Sequence, residues 1–170
     1  MVGPAGRRLV SVDFFTVPTI RSEAAVAKLA DIPGESRQDQ FQVLYVFLVL
    51  AHDRRRILHF NVTAHPTAEW TAQQLREAFP FEQIPRYLLR DRDRIFGGEF
   101  REDVKAMGIQ EVLSAPRSPW QSAYVERVIG TIRREGLDHV IVLNEASLYR
   151  HVKSFLAYYH ECRTHLSLAC

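Results

Sequence analysis

Residues 87–113 read YLLRDRDRIFGGEFREDVKAMGIQEVL. Tyr87 to Arg90 is a short strand, broken by the charged run DRDR and the glycine pair Gly97 and Gly98. A helix covers about Glu99 to Met107, and Gly108 stops it, because glycine enters the left-handed C-terminal position without a Cβ penalty. Ile109 to Leu113 forms the next strand. Strand, helix and strand in close succession place the chain in the α/β class.

Upstream, Leu9 to Val17 is rich in valine and phenylalanine and predicts a strand cut off by Pro18. Phe41 to His52 is almost continuously apolar, the pattern of a central strand buried on both faces. Asp53 to Arg56 is a polar turn, and Ile57 to Thr63 alternates as a paired strand does, so the two segments make a hairpin. Thr67 caps a helix over about Ala68 to Phe79, with Glu69 at its positive dipole end. Downstream, the loop APRSPWQS precedes a helix from about Ala123 to Leu137, and Asn144 caps a last helix through Leu148, Val152, Phe155, Leu156 and Tyr159. The expectation is a mixed five-stranded sheet with helices on both faces, ordered three strands, helix, strand, helix, strand, two helices. Residues 21–40 are expected to be a surface insertion, since a hairpin does not need that length.

At 170 residues the chain fits one domain spanning 1–170. Its 46% hydrophobic and 25% charged residues are those of a folded globular chain. The longest apolar run, Val43 to Ala51, is nine residues, whereas a membrane-spanning helix needs about 20. No membrane partner is expected, and the N-terminal MVGPAGRR lacks the apolar stretch of a secretory signal, so a cytoplasmic location is expected. Cys162 and Cys170 are too few for a disulfide framework. Net charge is only +2, but nineteen of the 22 basic residues are arginines, whose planar fork suits bidentate phosphate contact.

Three carboxylates stand out. Asp13 interrupts the apolar strand VSVDFFTV, where an ionised group needs a counter-ion or cation. Asp91 and Asp93 follow the C-terminal end of a strand, a usual place for functional groups in α/β sheets. Glu126 lies early in its helix. At about 100° per residue, Val125, Val128, Ile129 and Ile132 form an apolar stripe, Glu126 and Arg133 fall on its edge, and Arg127 and Arg134 face away. Oxygen-only ligands converging from two strands and a helix select magnesium or manganese, and two such ions clamp both oxygens of a phosphoryl displacement. Each carboxylate alone also fits a plainer role: an arginine-paired Asp13, a solvated turn at Asp91 and Asp93, and a surface charge at Glu126.

Together, VDFFTV at Asp13, LLRDRDRIF at Asp91, GIQEV at Gly108 to Val112, SPWQSAYVERVIGTIRRE around Glu126 and the tail YYHECRTHLSL resemble the catalytic core of DDE transposases and retroviral-type integrases, in particular insertion-sequence transposases, of the RNase H-like superfamily. Asp91 matches the family's second aspartate, with Phe96 five residues on and 34 residues between Asp91 and Glu126. The resemblance implies a catalytic and metal-binding triad of Asp13, Asp91 and Glu126, two Mg2+ or Mn2+ ions, DNA as partner, a homo-oligomer, and a nucleoid-associated location when bound. It implies DNA contacts by Arg133, Arg127, Arg134 and, through base stacking, Trp120, although that ring could equally pack on the core. Ser122 stands where the family usually has asparagine, Gly130 where it has a base, and the N-terminal DNA-binding domain is expected to be absent. Two other readings are an RNase H-like nuclease and a core-only remnant that binds nucleic acid or dimerises without strand transfer. Arg54, Arg55 and Arg56 are expected to form an exposed turn, and His160, Cys162 and His165 a solvated helix end.

Overall fold

The computed structural model describes residues 9–20, 41–52, 56–80, 84–114 and 119–166. The insertion expected at 21–40, Arg54 and Arg55, the side chain of Trp120, and those of Cys162 and His165 lie outside the described residues. The elements are β1 (Leu9–Ile20), β2 (Phe41–Ala51), β3 (Arg56–Thr63), α1 (Ala68–Ala78), β4 (Tyr87–Arg90), α2 (Gly98–Ala106), β5 (Gln110–Leu113), α3 (Pro119–Thr131), a π-helical turn (Ile132–Leu137) and α4 (Glu145–Leu166). The five strands form one sheet in the order β3-β2-β1-β4-β5. β1 pairs parallel with β4 from Leu9↔Tyr87 to Ser11↔Leu89, and β4 parallel with β5 from Tyr87↔Gln110 to Arg90↔Leu113. No helix among the described residues is long and apolar enough to cross a membrane.

Two compact units make up the chain. The first comprises Met1–Phe14, Phe47–Asn61 and Pro66–Gly130. Its core gathers Val10 and Val12 of β1, Phe47 and Val49 of β2, Leu88 of β4, Ala72 and Leu75 of α1, and Phe100 and Val104 of α2. An aromatic chain runs through it: Phe14 lies 5.0 Å from Phe47 and 5.8 Å from Phe96, and Phe96 lies 5.0 Å from Phe100. Rings at these separations add about 0.5–1.5 kcal/mol per pair beyond their burial. Thr67 caps α1 as expected, its hydroxyl accepting from the Trp70 N–H. Gly108, at φ 72°, ends α2 in the left-handed conformation that its lack of a Cβ permits. An Arg76–Asp103 ion pair joins the two helices.

The second unit comprises Phe15–Val46, Val62–His65 and Thr131–Cys170. Asn144 caps α4: its Oδ1 accepts from the Ser147 N–H (2.8 Å), while Ser147 Oγ accepts from the Asn144 N–H (3.2 Å). Gly136 of the π turn sits against Phe155 of α4, so closely that a Cβ there would stand 2.9 Å from the ring.

Three boundaries differ from expectation. β1 does not stop at Pro18 but continues to Ile20. β4 ends at Arg90, leaving β1 to run on past it, and there an exposed proline removes no ladder bond on that side. α3 begins at Pro119 instead of Ala123, since proline suits the first helical position. The helix expected to run to Leu137 changes at Ile132 to π geometry, with the Asp138 N–H bonded to the Arg133 carbonyl (2.8 Å), five residues back.

Candidate active site

Strand alternation decides where Asp13 points. Val10, Val12 and Phe14 join the apolar core, so Ser11 and Asp13 face the other side of β1. Phe14, locked among the rings of Phe47, Trp70 and Phe96, fixes that rotation. Asp13 Oδ1 accepts the Phe14 N–H at 2.8 Å. Even so, its pKa rises from 3.8 to about 7, first through burial and then through the charges of Asp91, Glu126 and Asp93. Burial therefore outweighs mutual repulsion, although both act in the same direction.

Asp91 begins the turn after β4 and is exposed. Its Oδ1 accepts the Asp93 N–H, and Asp93 Oδ1 accepts the Ile95 N–H, both at 3.1 Å. These two successive Asx turns explain why DRDR leaves the strand where it does. Phe96, buried in the core, anchors the far end of the turn. Of the two aspartates, Asp91 acts the more strongly on Asp13.

Glu126 is an exposed residue of α3, beside Val125, which is buried with Val128 and Ile132 on the expected apolar stripe. Its charge reaches Asp13. A cavity of about 10 Å³, close to the size of one water or ion, is lined by Ser11, Val12, Asp13, Leu89, Arg90, Asp91 and Val125. The carboxylates thus surround a small polar space on the sheet. Their all-oxygen donor set fits a hard divalent cation, which would offset the like-charge penalty on Asp13. Among the described residues, however, no three His, Cys, Asp or Glu side chains are gathered into a metal-ligand cluster.

Sequence reasoning missed two polar pairs here. Ser11 Oγ and His52 Nε2 share a hydrogen bond of 2.5 Å at the side of β1 that carries Asp13. Arg90, only 3% exposed, bonds Glu111 Oε2 through Nε (2.7 Å) and the Asp91 carbonyl through Nη1 (2.9 Å). The register held a signal for the second pair: Leu88 and Arg90 share a face of β4, and Glu111 lies opposite Leu88 on β5.

The expected DNA-contact arginines are placed differently. Arg127 is exposed on α3, whereas Arg133 and Arg134 lie in the π turn, where α-helical angles no longer apply. Arg133, exposed, lies 5.5 Å over the Phe15 ring and donates to the Thr16 carbonyl (3.4 Å). It lines a second-unit cavity of about 220 Å³ with Thr16, Val17, Pro18, Leu137, Asp138, Val140 and Val142. His160 is half-buried beside Tyr159, and Arg56 is exposed.

A family model described as integrase core domain matches residues 107–169. No curated protein matches the chain in sequence. Among solved structures, the catalytic core domain of BIV integrase is similar, with 15% identity and a TM-score of 0.55 over 88% of this chain and 83% of that one. The HTLV-2 integrase catalytic core domain, solved with magnesium in a trimeric form, gives 12% identity and a TM-score of 0.56 over 89% and 86%. The intasome of simian T-cell lymphotropic virus, in complex with the PP2A regulatory subunit B56 gamma, gives 12% identity and a TM-score of 0.62. That match covers 88% of this chain, which spans only 48% of the intasome chain. With its sheet and helices arranged as in these structures, the chain has the RNase H-like fold of retroviral integrase catalytic cores, and over residues 107–169 it is similar in sequence to the integrase core domain.

Proposed function

We propose that the chain is a metal-dependent DNA-cleaving and strand-transferring core, a polynucleotidyl transferase of the DDE transposase and integrase type. The observation that carries this reading is Asp13: a carboxylate buried on the sheet, beside an ion-sized cavity that Asp91 also lines, and within the field of Glu126. Asp13, Asp91 and Glu126 would hold Mg2+ or Mn2+, and the bound cations would activate water or a DNA 3′-hydroxyl and steady the leaving oxygen. The chain's own part is to keep Asp13 charged groups apart from water on the sheet, to hold Asp91 at the strand end, and to bring Glu126 from the exposed edge of α3. Such a core would act on DNA as an oligomer of this chain, in the cytosol and at the nucleoid.

Manganese-dependent cleavage and joining of a mixed oligonucleotide pool tests the reading. Activity is expected in the unchanged chain and in Asp93→Asn, and it should be lost in Asp91→Asn and Glu126→Gln. Equal activity in all four would remove the site assignment. A second reading, a folded core without strand transfer, draws on the ungathered state of the carboxylates. DNA binding without manganese-dependent cleavage would select it.

A further inference from the structure

We infer that Arg90 is a positioning residue for Asp91, acting through a buried clamp with Glu111. This rests on the metal-binding role proposed for Asp91. A buried guanidinium is tolerated only when its charge and donors are used. Arg90 directs Nε and Nη2 to one oxygen of Glu111 and Nη1 to the Asp91 carbonyl. Its guanidinium lies 5.4 Å over Phe96 and 6.0 Å over Phe100. The β4–β5 ladder does not need this help, since the Ser114 N–H already bonds the Arg90 carbonyl at 3.0 Å. What the side chain adds is a hold on the peptide leaving Asp91.

That peptide is held from two sides. Nη1 fixes the Asp91 carbonyl, and the Asp91 carboxylate takes the Asp93 N–H. With both in place, the backbone of Asp91 has one setting, and one carboxylate oxygen is committed to the turn. The other is left to face the cavity beside Asp13. Glu111, with its side chain 23% exposed, is the counter-charge that keeps Arg90 in position. Lysine cannot substitute, because one ammonium cannot span Glu111 and the Asp91 carbonyl while lying flat over two rings.

The test uses the full chain and three variants: Arg90→Lys, Glu111→Gln and the apolar double variant Arg90→Met with Glu111→Leu. Direct Mn2+ titration by calorimetry, the melting temperature and the amide resonance of Asp93 are read together. The double variant should melt near the unchanged chain, since an apolar pair replaces an ionic one. It should nevertheless bind Mn2+ about 10–100-fold more weakly, the usual cost of losing an outer-shell partner. Arg90→Lys should share that loss, and the Asp93 amide should shift in both. Unchanged Mn2+ affinity and an unmoved Asp93 amide in a well-folded double variant would overturn the inference. If the unchanged chain takes up no Mn2+, the functional reading fails, and the Asp93 amide alone decides the clamp: a shift supports it and no shift overturns it.

Discussion

Two arginines lie over phenylalanine rings at nearly equal distance, Arg90 at 5.4 Å from Phe96 and Arg133 at 5.5 Å from Phe15. The surroundings make them different residues. Arg90 is buried, paired with Glu111 and bonded to a backbone carbonyl, so its cationic charge is committed. Arg133 is exposed, rests on its ring and reaches one carbonyl at 3.4 Å. Cation–π contact alone adds about 0.5–1 kcal/mol at an exposed site, which leaves a guanidinium able to exchange its partners for a phosphate. Burial turns the same contact into framework.

The sharpest way to break this contrast is Arg90→Met alone. It leaves Glu111 beside an apolar neighbour and should destabilise the chain by about 3 kcal/mol, at the low end for a broken buried pair because Glu111 still reaches water. Denaturant unfolding measures it, and a loss below about 1 kcal/mol would place Arg90 with the surface arginines.

Asp13 extends the comparison to a buried charge without a counter-ion. Its folded pKa of about 7 lies above the unfolded 3.8, so the folded chain binds more protons between those values. Metal-free stability should therefore be highest near pH 4, fall as the pH rises toward 7, and stay low above it. Asp13→Asn keeps an oxygen for the Phe14 N–H and should gain roughly 2–4 kcal/mol at pH 8 in EDTA, with little gain at pH 4. Equal gains at both pH values would mean that the carboxylate carries no burial penalty.

In the second unit the effects should be smaller. Gly136→Ala sets a Cβ 2.9 Å from Phe155, and the strain should exceed the helix-propensity gain by about 1 kcal/mol in thermal unfolding. Arg133→Ala should cost less than about 1 kcal/mol of stability. If Arg133 is a DNA phosphate contact, the same variant should weaken binding evenly across sequences and lower the salt slope by roughly 1. An unchanged slope in fluorescence anisotropy would leave Arg133 as a packing residue only.

Local chemistry made most of the fold legible before any coordinates. The Thr67 cap, the Gly108 stop and the strand Tyr87–Arg90 each depend on neighbours in the chain, and all three stand where expected. Pro18 misled because its tolerance depends on where another strand ends. The π turn was hidden by the α-like spacing of Val125, Val128 and Ile132, although the step of five from Ile132 to the buried Leu137 marks it. Asp13 was visible as a charge in an apolar strand. Arg90 was not, because it stands at the head of an apparently solvated charged run, and its partner lies 21 residues away on the next strand.

The π turn also separates two demands on the polypeptide. Glu126 sits upstream in regular α geometry, while the Arg133 carbonyl and Asp138 amide enclose one residue more than an α turn holds. A descendant chain one residue shorter between 133 and 137 closes an ordinary α ladder there and leaves the carboxylate's rotation untouched. Evolution can thus re-aim the arginines of this segment by single-residue deletion, without resetting the helix that presents Glu126.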